Sequence, residues 1–339
     1  MRILLCHKDI SSAGCAGGFS TLYINLAQYF FNMGHEVAVI TGRLEPWNLK
    51  VDRYIVSDTN LSIRRKKITE AINLWKPDIA ECAGWGAELS DYVSTANRAN
   101  VFVRGDIPSK FYPEAEYMPE EENLARQADA VIAVSSWCSS QWTAITEKQV
   151  VIVPHGVHKP RYKNFKKDAK LIVWIGKATW MKGIDLLSDI ASKITVQYKL
   201  VCVVGPALYE NKQAIEKLSR AGVSIVTGLS TNAYQSLLAK ASFILSTARK
   251  EGFCIAVLEG MAYGAIPIVP EWIGGTLDFV TPELGLIFHT LDEIPHLLHT
   301  TDYTKSEYAQ QRALSYSWYR TAEETIAVYQ LYAKERHTS

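Results

Sequence analysis

Short runs of branched aliphatic residues alternate along this chain with longer amphipathic stretches, and this alternation limits the possible folds more than any other feature. RILLC is followed by a glycine-containing loop, then TLYINLAQYFFNMG, then HEVAVIT. The pattern reads as strand, loop, helix, strand, a βαβ unit that commits its strands to a parallel sheet. Within the first helix Leu22, Leu26 and Tyr29 with Phe30 recur three and four residues apart, and Gly34 stands where a helix-ending glycine belongs. Further strands are expected at 78–83, 101–104, 130–134 and 150–153.

The same alternation starts again after HKPRYKNFKKDAK, whose proline and charges read as a linker near residues 158–169. The later strands are LIVWIG, KLVCVVG, VSIVTG, SFILST and IPIVP, with helices between them. The closing YSWYRTAEETIAVYQLYAKE reads as an aromatic-rich amphipathic helix suited to a domain junction. At roughly 150 residues per domain, 339 residues make about two domains. The expected architecture is α/β: two Rossmann-like doubly wound domains, with the cleft between them as the ligand site.

Composition removes several function classes. Hydrophobic residues at 48% and charged residues at 21% describe an ordinary folded chain and not a disordered tail. With 36 Lys+Arg against 35 Asp+Glu the formal charge is +1, so no global field favours nucleic acid. The six cysteines form no C-x-x-C pair, which leaves a zinc site or disulfide framework unsupported. Cys6, Cys82 and Cys202 lie in apolar runs and read as small buried hydrophobes, as in a reducing cytoplasm. No apolar stretch approaches the ~20 residues of a membrane span. The basic clusters RRKK at 64–67 and RYKNFKK at 161–167 leave two readings open, solvated faces or peripheral contact with the inner face of a membrane.

The chemistry-bearing residues fall on strand-to-helix loops. SSAGCAGGFS at 11–20 holds Gly14, Gly17 and Gly18, which let backbone approach an anionic ligand at a helix N-terminus. Its spacing is neither G-x-G-x-x-G nor a P-loop, which argues against a simple dinucleotide fingerprint. In the second half, ARKEGFCIAVLEGMAYGAIPIVPEWIGG places Glu251, Gly252 and Phe253 in a turn before a helix from about Cys254 to Tyr263. The amides of Phe253, Cys254 and Ile255 are expected at the head of that helix, an arrangement suited to a diphosphate. Glu251 precedes the helix and Glu259 lies inside it, so the two carboxylates should meet different parts of one extended ligand. Upstream, IGKATWMKG sets Lys177 and Lys182 on either side of another such loop, where two cations can neutralise a bound or departing diphosphate.

Taken in order, these segments resemble the retaining nucleotide-sugar glycosyltransferases of the GT-B fold, in the large group called family 4 (glycosyl transferases group 1). The resemblance rests on the glycine loop with NMGHEV, ADAVIAVS at 128–135, VIVPHGV at 151–157, GKATWMKG at 176–183, Glu251 and Glu259 with EGF, and Gly274 with Gly275. SW followed by alanine near the end is similar to the segment leading into a helix that crosses back to the first domain. The resemblance implies an acceptor domain over 1–160, a nucleotide-sugar donor domain over 168–316 and that returning helix over 317–339. It implies that Glu251 holds donor-sugar hydroxyls, that Glu259 accepts from the nucleotide ribose, and that Lys177 and Lys182 stabilise the diphosphate in place of a metal. Gly17 and Gly18 resemble the loop lying against the donor phosphates. The absence of D-x-D agrees with a metal-free diphosphate site.

Two positions depart from the family pattern. Lys177 stands where arginine is common, keeping the charge and losing the bidentate fork. Arg104 stands at the end of VFVRGD where many members have histidine, leaving two readings, an acceptor-side role with Asp106 or a surface Arg104–Asp106 pair. Trp85 and Glu88, in ECAGWGAELSDY, are the other acceptor-side candidates; the tryptophan suits either a sugar face or a core. The implied reaction transfers a hexose-type unit from a nucleoside diphosphate sugar to the hydroxyl of a glycan, lipid-linked or small-molecule acceptor, with no further cofactor. Sugar-nucleotide epimerase or phosphorylase, non-catalytic sugar-nucleotide binding module and nicotinamide oxidoreductase are the alternatives.

Overall fold

The computed structural model describes every residue except 12–16, 46, 85–86, 97, 114–116, 162–165, 206–210 and 337–339. The chain divides into two units, Met1–Gly156 with Trp318–Ser339, and Val157–Ser317. In the first unit the elements run β1 (Arg2–Cys6), α1 (Gly18–Asn32), β2 (Glu36–Thr41), β3 (Asp52–Ile55), α2 (Leu61–Trp75), β4 (Ile79–Ala83), β5 (Asn100–Gly105), α3 (Pro119–Gln127), β6 (Ala130–Ala133), α4 (Ser136–Thr146) and β7 (Val151–Ile152). They form a seven-stranded sheet of order β3-β2-β1-β4-β5-β6-β7. Every described pairing is parallel. A parallel sheet covered on both faces needs apolar residues on both, which is why RILLC and IAECA run buried without alternation. Helix α1 ends as its sequence suggests: Gly34 takes φ +85°, its N–H donates to the Phe31 carbonyl and the His35 N–H to that of Phe30. Strand order reverses between β1 and β4, the kind of position at which open α/β sheets form a ligand crevice.

The second unit repeats the plan: β8 (Asp168–Gly176), α5 (Ile184–Thr195), β9 (Lys199–Val204), α6 (Lys212–Arg220), β10 (Ser224–Val226), α7 (Thr231–Lys240), β11 (Ala241–Leu245), α8 (Ile255–Ala262), β12 (Ile266–Pro270), β13 (Leu286–Phe288), α9 (Ile294–His299) and α10 (Lys305–Leu314). Its six strands lie in the order β10-β9-β8-β11-β12-β13, with the reversal between β8 and β11. Ile172, Trp174, Leu187, Leu200 and Phe243 belong to its core. Each such side chain contributes about 1.5–3 kcal/mol when fully buried. Helix α8 approaches β11 so closely that a Cβ on Gly260 would lie 2.7 Å from that of Ile244. Strand β8 starts at Asp168, inside the stretch expected to be linker. The Lys167 ammonium donates to the Ala241 carbonyl at 2.6 Å and Ser242 Oγ to that of Asp168 at 2.8 Å, which ties this segment to β11.

The last helix, α11 (Trp318–Arg336), belongs to the first unit. Its attachment corrects the expectation for Arg104. That side chain is fully buried and its Nε and Nη2 donate to Glu81 on the neighbouring strand at 3.0 and 2.9 Å. From α11, Thr325 Oγ1 receives the Arg104 Nη2 at 3.2 Å and the Tyr329 hydroxyl donates to Glu81 at 2.6 Å. Arg104 is therefore neither at a surface nor turned toward an acceptor. It sits under α11, and its charge is matched inside the sheet. Among the described residues, no helix is long and apolar enough to cross a membrane.

Candidate functional site

In the second unit the register of β11 with β8 sets Leu245 beside Trp174, so the two strands finish almost level at the point where strand order reverses. That places KATWMKG and STARKEGF, sixty-odd residues apart in sequence, side by side. Gly183, at φ +64°, caps α5, and a Cβ there would fall 1.9 Å from the Thr247 carbonyl oxygen. Only glycine fits. Buried Thr247 then fastens the two loops, donating from Oγ1 to the Gly183 carbonyl at 2.8 Å and accepting from Trp174 Nε1 at 3.2 Å. The Arg249 N–H donates to the Met181 carbonyl at 2.9 Å, and its guanidinium grips Asp185 at 2.9 and 2.7 Å.

This clasp delivers Lys182 Nζ to Glu251 Oε1 at 2.6 Å. The Glu251 side chain is 8% exposed and that of Lys182 34%, so the carboxylate is buried while the ammonium reaches solvent. An ammonium has three donors, and Glu251 takes one of those of Lys182. Lys177 is exposed at the end of β8 and forms no ion pair among the described residues. The Glu251 backbone is held from the other side: its N–H donates to the Ile273 carbonyl at 2.7 Å and its carbonyl accepts from Gly275 at 2.9 Å. Gly274, at φ +93°, makes the turn that brings those groups alongside. Phe253 is buried against Phe279 and Tyr316, with ring centroids 4.9 and 5.7 Å away, and so anchors the Gly252–Phe253 turn.

Helix α8 begins at Ile255, one residue later than the sequence suggests. Cys254 takes a left-handed conformation at φ +66°, which no helical residue can hold, so it caps the helix instead. The Phe253 and Cys254 amides therefore precede the first turn, and the head of the helix is formed by Ile255 onward. Burial pushes the Cys254 thiol up, with Glu251 adding to the rise, which leaves it a poor nucleophile. One turn into α8, Glu259 Oε2 accepts a 2.5 Å hydrogen bond from the Tyr234 hydroxyl on α7. Burial raises the pKa of Glu259, and the Tyr234 bond pulls it back. Thus Glu251 and Glu259 have different partners on different elements.

At the corresponding reversal in the first unit, Gly17 caps α1 at φ +101°, and Gly18 opens the helix with free space where a Cβ would stand. Glu88 is buried. Its Oε1 accepts from the Lys8 N–H at 3.4 Å, and Oε2 has no partner among the described residues. Burial lifts its pKa to about 7, against smaller opposing contributions from backbone amides and Arg64. Asp106 Oδ1 accepts from the Ile107 N–H at 2.9 Å, and its carbonyl from Trp142 Nε1 at 2.7 Å. Trp85 and Gly14 lie outside the described residues. Sequence reasoning missed Tyr234 and Thr247. They carry no local motif, and only the packing of α7 and β11 gives them partners.

The two Rossmann-like units have the fold of GT-B glycosyltransferase structures. Residues 158–297 match the family described as Glycosyl transferases group 1. Sucrose-phosphate synthase from Thermosynechococcus elongatus superimposes with a TM-score of 0.83 at 16% identity, covering 100% of both chains. HepE from Anabaena in complex with UDP-glucose gives 0.81 at 15%, covering 97% of this chain and 99% of that one. Among curated proteins, an uncharacterized glycosyltransferase of Methanocaldococcus jannaschii is 25% identical over 153 residues, 45% of this chain and 43% of that relative. The matched stretch thus spans less than half the length of that relative.

Proposed function

We propose that this chain is a retaining glycosyltransferase, of the type grouped as family 4, that moves a sugar from a nucleoside diphosphate sugar to an acceptor hydroxyl. The observation that carries the reading is the Lys182–Glu251 pair at 2.6 Å, clamped between the loops that follow β8 and β11, with Lys177 exposed at the end of β8. An ammonium next to a carboxylate, on a loop that carries a second lysine, suits a ligand that is anionic at one end and hydroxylated at the other. In this reading Lys177 and Lys182 hold the diphosphate, with Gly252, Phe253, Cys254 and Ile255 supplying backbone around it. Glu251 accepts from donor-sugar hydroxyls, and Glu259 from the ribose. The first unit takes the acceptor, with Asp106 on that side, and Gly17 and Gly18 are its donor-phosphate loop.

The bond between the sugar's anomeric carbon and the diphosphate oxygen breaks, and its electron pair leaves with the nucleoside diphosphate. The acceptor oxygen forms the new bond from the same face, and its proton passes to the departing phosphate oxygen. The lysines lower the barrier by stabilising charge that grows on the leaving group, a contribution of about 2.7–4 kcal/mol per well-placed donor.

A thermal-shift screen with nucleoside diphosphates and their sugars, with and without EDTA, tests the first step, since a ligand of the native state raises its apparent stability. UDP-glucose is the first probe because the structurally similar HepE is seen with it. Glu251→Ala and Lys182→Ala should each lower turnover by about two orders of magnitude or more with unchanged circular dichroism. Wild-type turnover in either variant would remove that residue's role, and an epimerised sugar nucleotide formed without acceptor would replace transfer by epimerisation.

A further inference from the structure

Glu259 is only half used by the protein. Its Oε2 is held by the Tyr234 hydroxyl at 2.5 Å, while Oε1 has no hydrogen-bond partner among the described residues. An ionised carboxylate accepts about four hydrogen bonds, so a largely buried one with a single protein donor lacks O–H or N–H groups from elsewhere. The single donor comes from a separate helix: α7 starts with Ser230 Oγ accepting from the Ala233 N–H at 3.3 Å, and Tyr234 follows in its first turn. Tyr234 and Glu259 therefore meet only because α7 packs beside α8.

We propose that Tyr234 is a positioning residue that fixes the Glu259 carboxylate to receive the vicinal ribose hydroxyls of the donor nucleotide, so that the site separates ribonucleotides from deoxyribonucleotides. This rests on the reading of Glu259 as the ribose acceptor. Two effects act together. A phenol bonded to Oε2 stops the carboxylate rotating, leaving Oε1 and the second lone pair of Oε2 aimed for a pair of hydroxyls. The same bond favours the ionised form against the pull of burial. A protonated Glu259 would turn one acceptor into a donor and lose part of the diol's complement.

The test uses the full chain and calorimetric titration with ADP, GDP and UDP, each beside its 2′-deoxy counterpart, following the pair that wild type binds best. Tyr234→Phe should weaken ribonucleotide binding roughly tenfold, the effect of losing one hydrogen bond to a charged group. The deoxynucleotide should change far less, so the ratio of the two affinities collapses. The acid limb of ribonucleotide binding should also begin at higher pH in the variant, because Glu259 then takes up its proton sooner. Equal loss for both nucleotides with an unmoved pH limb would show a merely structural role and overturn the proposal, as would an unchanged ratio. Glu259→Gln separates the two claims. If it leaves the ratio unchanged, or if no nucleotide binds wild type, the ribose reading itself fails. If it collapses the ratio while Tyr234→Phe does not, only the role of Tyr234 fails.

Discussion

The two units handle charge in opposite ways. In the first, Arg104 and Glu81 are fully buried, joined by two hydrogen bonds and sealed by Tyr329 and Thr325 from α11. In the second, Lys182 and Glu251 form a single 2.6 Å contact, with Lys182 about one-third exposed. A buried pair contributes little net stability over an apolar replacement, but removing one partner strands a charge in a low dielectric. In the second pair the carboxylate is buried and the ammonium reaches water. The first unit thus uses charge to seat a helix, and the second holds it between two loops at the end of its sheet.

The largest effect should come from breaking the buried pair. Arg104→Met is expected to lower unfolding free energy by about 3–5 kcal/mol, seen as a drop in the urea midpoint. Arg104→Met combined with Glu81→Leu should recover most of it. A loss below about 1 kcal/mol for the single variant would erase the contrast between the units.

Next comes a pH effect at Glu88, a buried carboxyl that lacks a salt-bridge cation. Its pKa rises from 4.5 to about 7 on folding, so between those values the folded chain holds more protons than the unfolded one. Its contribution to stability is full below about pH 4.5 and is lost as pH rises through 7. Glu88→Gln should therefore be neutral near pH 4 and stabilising by roughly 3 kcal/mol at pH 8. Urea titrations at both values check this, and a difference that does not vary with pH would contradict it.

The smallest stability effect belongs to the Lys182–Glu251 pair. Lys182→Ala leaves the buried Glu251 carboxylate without its 2.6 Å partner and should lower unfolding free energy by about 1–3 kcal/mol, less than Arg104→Met because the ammonium it removes is partly exposed. If it destabilises as much as Arg104→Met, the pair is structural and the comparison collapses.

How legible each feature was depends on how local its cause is. The β-strands rich in branched aliphatics stand out because burial on both faces requires such residues over several positions. β3 (DRYI) and β13 (LIF) were not anticipated, the first because its residues are only partly buried and the second because three residues carry no period. Glu251, Lys182 and Gly274 were found because their turns use a recurring order of residues. Arg104 was misread because an arginine at a strand end looks like a rim residue until Glu81 is placed one strand away and Tyr329 is placed over it.

The sequence by itself determined the two α/β series, the loops that carry the candidate site residues and the order of the motifs, since periodicity and turn chemistry act over a few neighbours. Tertiary structure alone decided which loops meet at the two reversals of strand order, which carboxylate each cation or hydroxyl reaches, and whether a charge is sealed or accessible. Those outcomes depend on strand register and helix packing between residues up to 248 positions apart, distances across which no local spacing carries information.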